Sequence, residues 1–161
     1  MAVADRRHAR MRTVAYPNFR WKLGARRPIE GVPEALEHIG HHILKRRLAL
    51  RLQQKEVAKL LRTNPWNLRN WETGRRQIEV RFYPAILRFL GYHPWPEPST
   101  LGETVRQARV ARGWSRKKLA REAAIDEGTV SRIETDRPRL ARRPIKRALE
   151  ALGIESLLGT V

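Results

Sequence analysis

Cysteine is absent from the 161-residue sequence, which excludes disulfide staples, thiol catalysis and Cys-ligated zinc and fits a reducing cytoplasm. Also missing is any apolar run of the ~18 residues that a membrane-spanning helix needs. No membrane partner is therefore expected. Acidic residues are scarce: 16 Asp and Glu stand against 34 Lys and Arg, a formal net charge of +18. No Gly-rich phosphate loop, nucleophile elbow or paired-carboxylate arrangement occurs, so the chain is expected not to be an enzyme and to need no cofactor. Nor does the sequence hold an evident small-molecule ligand domain.

What is present is a hydrophobic content of 41%, enough to fold, and positive charge in every third of the chain. Residues 1–33, 34–93 and 94–161 carry net +6, +7 and +5. A field of one sign over a whole small protein favours a polyanion, and with membranes set aside that means nucleic acid. Residues 1–33 show no sustained period and carry Arg throughout, which predicts a mobile basic arm. They lack the Ser content and clean periodicity of a transit peptide. Tyr16, Phe19 and Trp21 within them are better suited to packing a loop onto a core than to stacking on bases.

The chain repeats itself at an offset of 62 without a gap. That offset pairs Gly40 with Gly102, Arg47 with Arg109, Lys55 with Lys117, Ala58 with Ala120, Glu72 with Glu134, Leu90 with Leu152 and Gly91 with Gly153. Apolar positions match as well: Val57 with Leu119, Leu68 with Val130 and Trp71 with Ile133. Two copies of one small unit follow. Each copy reads as a run of short helices, so the expected class is all-α, with two tandem bundles of four to five helices behind a basic N-terminal arm. The expected boundaries are 1–33 for the arm, 34–92 for the first domain, 93–99 for a Pro-rich linker and 100–161 for the second domain.

Local signals place the helices. Ile43, Leu44, Leu48 and Leu52 share one helical face, and Val57, Ala58, Leu60 and Leu61 repeat the pattern. Asn64 as N-cap and Pro65 at the first helical position open a third helix, which Gly74 should end in a left-handed cap. A fourth ends at Gly91. In the second copy Ser99 or Thr100, Ser115 and Asp126 are the expected caps.

A helix pair joined by a tight turn, the second helix amphipathic with a polar outer face, is what a helix-turn-helix DNA reader needs. The segment QQKEVAKLLRTNPWNLRNWETGRR resembles the Xre family, the regulators related to Cro and the lambda-type repressors. The resemblance rests on Gln54, Val57-Ala58 and Trp71-Glu72-x-Gly74-Arg75, and in the second copy on Leu119-Ala120 and Ile133-Glu134-x-Asp136-Arg137. It covers roughly residues 38–153. It implies a bacterial, cytoplasmic, nucleoid-associated transcription regulator whose early third-helix residues meet base edges of double-stranded DNA. Two departures stand out: Arg116 replaces the second-helix glutamine, and Asp136 replaces the cap glycine, a position Asp tolerates better than most residues.

At ~100° per residue, Leu68 and Trp71 share the inner side of the third helix while Trp66, Arg69, Asn70 and Thr73 lie opposite. The same arithmetic buries Val130 and Ile133 and exposes Gly128, Ser131, Arg132 and Thr135. The recognition helices are thus 65–73 and 127–135, placed in the major groove. Base-edge candidates are Trp66, Arg69 and Asn70 in the first and Glu127, Gly128, Ser131 and Arg132 in the second. Asn reads adenine and Arg guanine through paired hydrogen bonds, so Asn70 and Arg132 lead. Phosphate candidates are Gln54, Lys55, Asn67 and Arg75, then Arg116, Lys117, Thr129 and Arg137. Asp126 and Glu127 repel phosphate, which predicts a weaker second head suited, if to any base, to cytosine. For Trp66 the competing expectation is a ring folded over a neighbouring helix.

His38, His41 and His42, with Glu37, have metal-like spacing, but no second cluster completes a coordination sphere, so a polar helix start is expected and no metal. The competing functions are a protein-interaction or antitoxin-like module reusing the fold, with YHPWPEP and the aromatic arm as partner surfaces, and a non-specific nucleic-acid binder. Two heads joined through the nine residues 92–100 raise each other's effective concentration, so a monomer acting as a pseudo-dimer on two unlike half-sites is expected, a further oligomer being compatible.

Overall fold

The computed structural model describes residues 31–33, 35–137 and 141–154. The expectation of a mobile basic arm, and the packing role expected of Tyr16, Phe19 and Trp21, lie outside those residues. Among the described residues there are eight α-helices and no strand. In chain order they are α1 (Ile39–Ala49), α2 (Gln54–Leu60), α3 (Pro65–Glu72), α4 (Tyr83–Leu90), α5 (Leu101–Ala111), α6 (Arg116–Glu122), α7 (Glu127–Glu134) and α8 (Arg142–Ala151). A single 3₁₀ turn, Val80–Phe82, leads into α4.

The 62-residue repeat is a structural repeat. Helices α5, α6 and α7 begin and end 62 residues after α1, α2 and α3. The backbone follows suit at its least ordinary points, the left-handed residues, which pair as Arg51 with Gly113, Arg62 with Ala124, Gly74 with Asp136 and Gly91 with Gly153. After most of these helices an amide just past the left-handed residue reaches back five positions, as Leu52 does to Arg47, Thr63 to Ala58 and Ile125 to Ala120. Those bonds satisfy the last carbonyls of each helix and hold Arg and Ala in a conformation their Cβ atoms disfavour.

Each domain has its own core. Ile43, Val57, Ala58, Leu61, Leu68, Trp71, Ile86 and Leu90 are buried in the first. Every one has its counterpart 62 residues on, from Val105 to Leu152, in the second core. The second core adds Ile145 and Leu149 from α8, whose places in α4 are taken by the half-buried Tyr83 and Leu87. Helices of seven to eleven residues are marginal alone, so these cores supply the stability that the helices lack.

Side-chain caps fix the starts of α3, α5, α6 and α7. Asn64 accepts from the Asn67 amide, Thr100 from that of Glu103, Ser115 from that of Lys118 and Asp126 from that of Thr129. Of the two candidates before α5, Thr100 is the cap, and Ser99 instead donates through its amide and hydroxyl to the Glu103 carboxylate. The proline-rich segment between the domains is packed down. Trp95 stacks on Tyr83 with ring centroids 5.7 Å apart, and Gln107 Nε2 donates to the Pro96 carbonyl at 3.0 Å.

Candidate nucleic-acid interface

The outer face of α3 stands on a buried ionic buttress. Glu72, 4% exposed at the end of α3, accepts from Arg47 Nε at 2.6 Å and Nη2 at 3.0 Å, and from Gln54 Nε2 at 2.8 Å. Arg47 Nη1 also donates to the Leu52 carbonyl. The second domain repeats the arrangement: Glu134 accepts from Arg109 Nε at 2.5 Å and Nη2 at 3.0 Å, and from Arg116 Nε at 2.7 Å, while Arg109 Nη1 reaches the Trp114 carbonyl. Bidentate Arg–carboxylate pairing fixes orientation as well as distance. The C-terminal end of α3 or α7 is thereby held to both preceding helices. Burial opposes ionisation of Glu134, but the hydrogen bonds and charges of Arg109 and Arg116 outweigh it and hold the carboxyl below the usual carboxylate range.

Close backbone approach completes the placement. A Cβ built on Gly40 overlaps the Trp71 carbonyl, and one on Gly102 comes within 2.5 Å of the Ile133 carbonyl. The glycine pair in the repeat therefore marks the contact of α1 with α3 and of α5 with α7.

On this support, Leu68 and Trp71 are buried, with Trp71 against Phe82 at 5.0 Å. Trp66 is 63% exposed, and the Arg76 guanidinium lies over its ring at 5.5 Å. The expectation of a ring folded over a neighbouring helix is thus corrected: position 66 points away from the Leu68–Trp71 side. Arg69, Arg75 and Lys55 are exposed and Asn70 is half-buried. Asn67 is half-buried and donates to the Thr63 hydroxyl at 3.2 Å.

The second domain presents a different surface on the same frame. Glu127, Gly128, Arg132, Lys117 and Arg137 are exposed and Ser131 is half-buried. Arg132 donates to the Thr129 hydroxyl at 2.8 Å. Thr129 is 6% exposed, and its hydroxyl and amide both donate to Asp126. Those two bonds hold the Asp126 carboxyl below its usual range, so a carboxylate caps the start of α7, with the exposed Glu127 next to it.

Four of the phosphate candidates, Asn67 with its bond to Thr63 among them, therefore have internal partners that sequence spacing did not show. Gln54 and Arg116 serve the buried carboxylates, although Arg116 keeps 42% of its side chain exposed, and Thr129 is tied to the α7 cap. Arg76, past the cap and beyond the periodic segment, joins the exposed face through its place over the Trp66 ring. Its signal was the Arg75-Arg76 doublet following Gly74.

The histidines at the start of α1 have local partners. His38 is the N-cap residue and sits over Gly74, His41 lies against it with ring centroids 3.7 Å apart, and His42 Nδ1 is 2.9 Å from the Tyr92 hydroxyl. Among the described residues no group of three or more His, Asp or Glu is arranged to hold a metal. Nor is any of their helices long and apolar enough to cross a membrane.

Two family models match the chain. A helix-turn-helix model covers residues 43–94 and a helix-turn-helix domain model covers 100–156. No curated protein and no solved structure is significantly similar. The matches fall one on each domain and span the α2–α3 and α6–α7 pairs, whose turns pass through the left-handed Arg62 and Ala124. The chain is thus a tandem helix-turn-helix protein of the Xre, lambda-repressor-like type.

Proposed function

We propose that this protein is a sequence-specific double-stranded DNA-binding transcription regulator that places α3 and α7 in the major groove. Helix-turn-helix domains are those of DNA-binding regulators in general, and the observation that carries the finer reading is the outer face of α3. Trp66, Arg69 and Asn70 project there from a helix whose end is locked by Arg47, Glu72 and Gln54. Preorganised side chains of this kind suit base reading, since the ordering cost is met in the free protein.

In this reading Asn70 reads adenine, Arg132 reads guanine, and Trp66 with Arg69 flanks Asn70. Lys55, Arg75, Lys117 and Arg137 neutralise phosphates. The acidic pair Asp126 and Glu127 at the start of α7 makes the second head the weaker of the two. Because the two outer faces differ in every base-facing position, the favoured site is two unlike half-sites bound by one chain.

Selection from random duplexes tests this. One sequence class should emerge, with affinity falling steeply as salt rises through counterion release. Asn70→Ala and Arg132→Ala should each lose preference at a separate position, at about 1–3 kcal/mol of discrimination. Salt-sensitive binding without any selected sequence would reduce the protein to a polycation, and a strict palindrome bound by a dimer would sink the two-headed reading.

A further inference from the structure

The repeat departs from itself where the two domains meet. The left-handed residue after α1 is Arg51, and its counterpart after α5 is Gly113. A Cβ at Gly113 comes within 2.9 Å of Pro84 Cγ and 3.0 Å of Pro84 Cδ, and 3.4 Å from the Arg81 carbonyl. Position 113 thus needs glycine because the first turn of α4 is seated on it, a demand that position 51 does not face. The second departure is Tyr83, which stands where the second domain has the core residue Ile145. Tyr83 stacks on Trp95 at an interplanar angle of 20°, and both line one groove with Pro96 of the linker and with Arg106 and Gln107 of the second domain. Gln107 closes that side by donating to the Pro96 carbonyl.

From these contacts, and resting on the DNA-binding reading above, we infer that the Pro84–Gly113 contact and the Tyr83–Trp95 stack clamp the two domains into one rigid body. Its DNA site therefore has a single permitted half-site spacing. This goes beyond the short Pro-rich linker expected from the sequence, which limits span but does not by itself fix orientation. A flexible tether tolerates changes of spacing, because effective concentration varies only gently with span. A rigid joint does not. Each added base pair turns the second half-site by about 34° and moves it about 3.4 Å, given about 10.5 pairs per turn of about 36 Å. Gly113 and Trp95 are then spacing determinants that touch no DNA.

The test uses the full chain and its selected duplex, with the spacer changed in single base pairs. The native protein should prefer one spacer and lose about tenfold or more in affinity at one pair either side, since one head's contribution is forfeited. Gly113→Asn keeps a residue that accepts the left-handed conformation but drives its Cβ into Pro84. It should flatten the profile to within about threefold, and adding Pro84→Ala should restore the sharp optimum by removing the obstructing ring atoms. Trp95→Ala, outside both cores, should flatten it as well. A flat native profile, or a sharp one in both Gly113→Asn and Trp95→Ala, overturns the inference.

Amide relaxation of the free protein separates this from the DNA reading. One tumbling time for both domains, becoming two in Gly113→Asn, is the expected result. Separate tumbling in the native chain overturns the clamp whatever the duplexes do. Joint tumbling with no selected duplex would uphold the clamp and sink the DNA reading.

Discussion

The two domains are one backbone carrying two electrostatic designs. In the first, the buried carboxylate of Glu72 is met by one arginine and a neutral amide, and α3 opens on Asn64, Pro65 and Trp66. In the second, Glu134 is met by two arginines, and α7 opens on Asp126, Glu127 and Gly128. The starts of α1 and α5 differ in a compensating way. His38 lies over Gly74, whereas at the equivalent places Thr100 donates to Asp136, whose other oxygen accepts from the Gly102 amide. What the backbone requires repeats, and what faces a partner or fills the gap left by a neighbour varies. Predictions that treat the two domains as controls for each other follow from this.

The largest effect should come from removing the buried carboxylates. Arg109 and Arg47 keep only 8% and 12% of their side chains exposed, so Glu134→Ala or Glu72→Ala leaves a buried guanidinium without its counter-charge. A loss of about 3–5 kcal/mol is expected for the affected domain. Glu134→Ala should be the worse, as it strands a second arginine. Amide exchange measured domain by domain checks this, and a loss shared equally by both domains would show that they unfold as one unit.

Next in size are the close-approach glycines. Gly40→Ala forces a methyl group into the Trp71 carbonyl and Gly102→Ala into that of Ile133, where 2.5 Å is available. Overpacking costs about 1–3 kcal/mol, with Gly40→Ala at the upper end because its overlap is the greater. Denaturant midpoints in that order would confirm that α1 and α3 approach more closely than α5 and α7. The reverse order would refute it.

Much of this frame was legible in the sequence, and the illegible parts share a cause. The 62-residue offset placed the helices, and the caps Asn64, Ser115 and Asp126 announced themselves because a short polar side chain before an apolar period has few other uses. Arg47 with Arg109 and Glu72 with Glu134 stood out as repeated pairs, yet nothing local says that they meet each other 25 positions apart. Gln54, Arg116 and Thr129 looked like phosphate ligands for the same reason: periodicity gives a face but not the partner across it. Trp66 was undecided in sequence because a tryptophan's burial depends on what lies beyond its own helix. The joint at Gly113 was hidden because a left-handed position can hold Arg, as Arg51 shows, so the glycine there signals its neighbour Pro84 and not its own turn.

Acid should separate the domains. Burial lowers the His38 pKa, helped by the charge of His41 and opposed by Glu37, and burial likewise lowers that of His42, with Lys45, His41 and His38 acting in the same direction. Both histidines belong to the first domain, and their counterparts in the second are Thr100 and Thr104. A lowered histidine pKa means that the unfolded chain binds more protons below about 6.5, so the first domain loses stability as pH falls through that value. For Glu134 the folded pKa is also lowered. Its contribution is present above about 4.3 and is lost as pH drops from there toward the folded value. As pH falls below about 6.5, and before the carboxylate range near about 4.3 is reached, the first domain should soften while the second holds. His38→Gln with His42→Gln should remove that difference in domain-resolved exchange, and a difference that persists would place its origin elsewhere.

The smallest effect is the most informative about Arg116. Its Nε serves Glu134 while 42% of the side chain remains exposed beside the start of α6, so one residue is offered both an internal carboxylate and an external phosphate. Gln54 shows that a neutral amide suffices for the internal part at the equivalent position. Arg116→Gln should therefore cost no more than about 1 kcal/mol of stability, the scale of one hydrogen bond exchanged for another. If the exposed part meets phosphate, the slope of log affinity against log salt should fall by about 0.9. Stability and slope both unchanged would make the second arginine redundant. A slope unchanged with stability lost would assign its charge wholly to Glu134, leaving Lys117 and Arg137 as the second domain's phosphate contacts. The reciprocal Gln54→Arg should add about one unit of salt dependence to the first domain only if the space before α2 admits a phosphate as the space before α6 does.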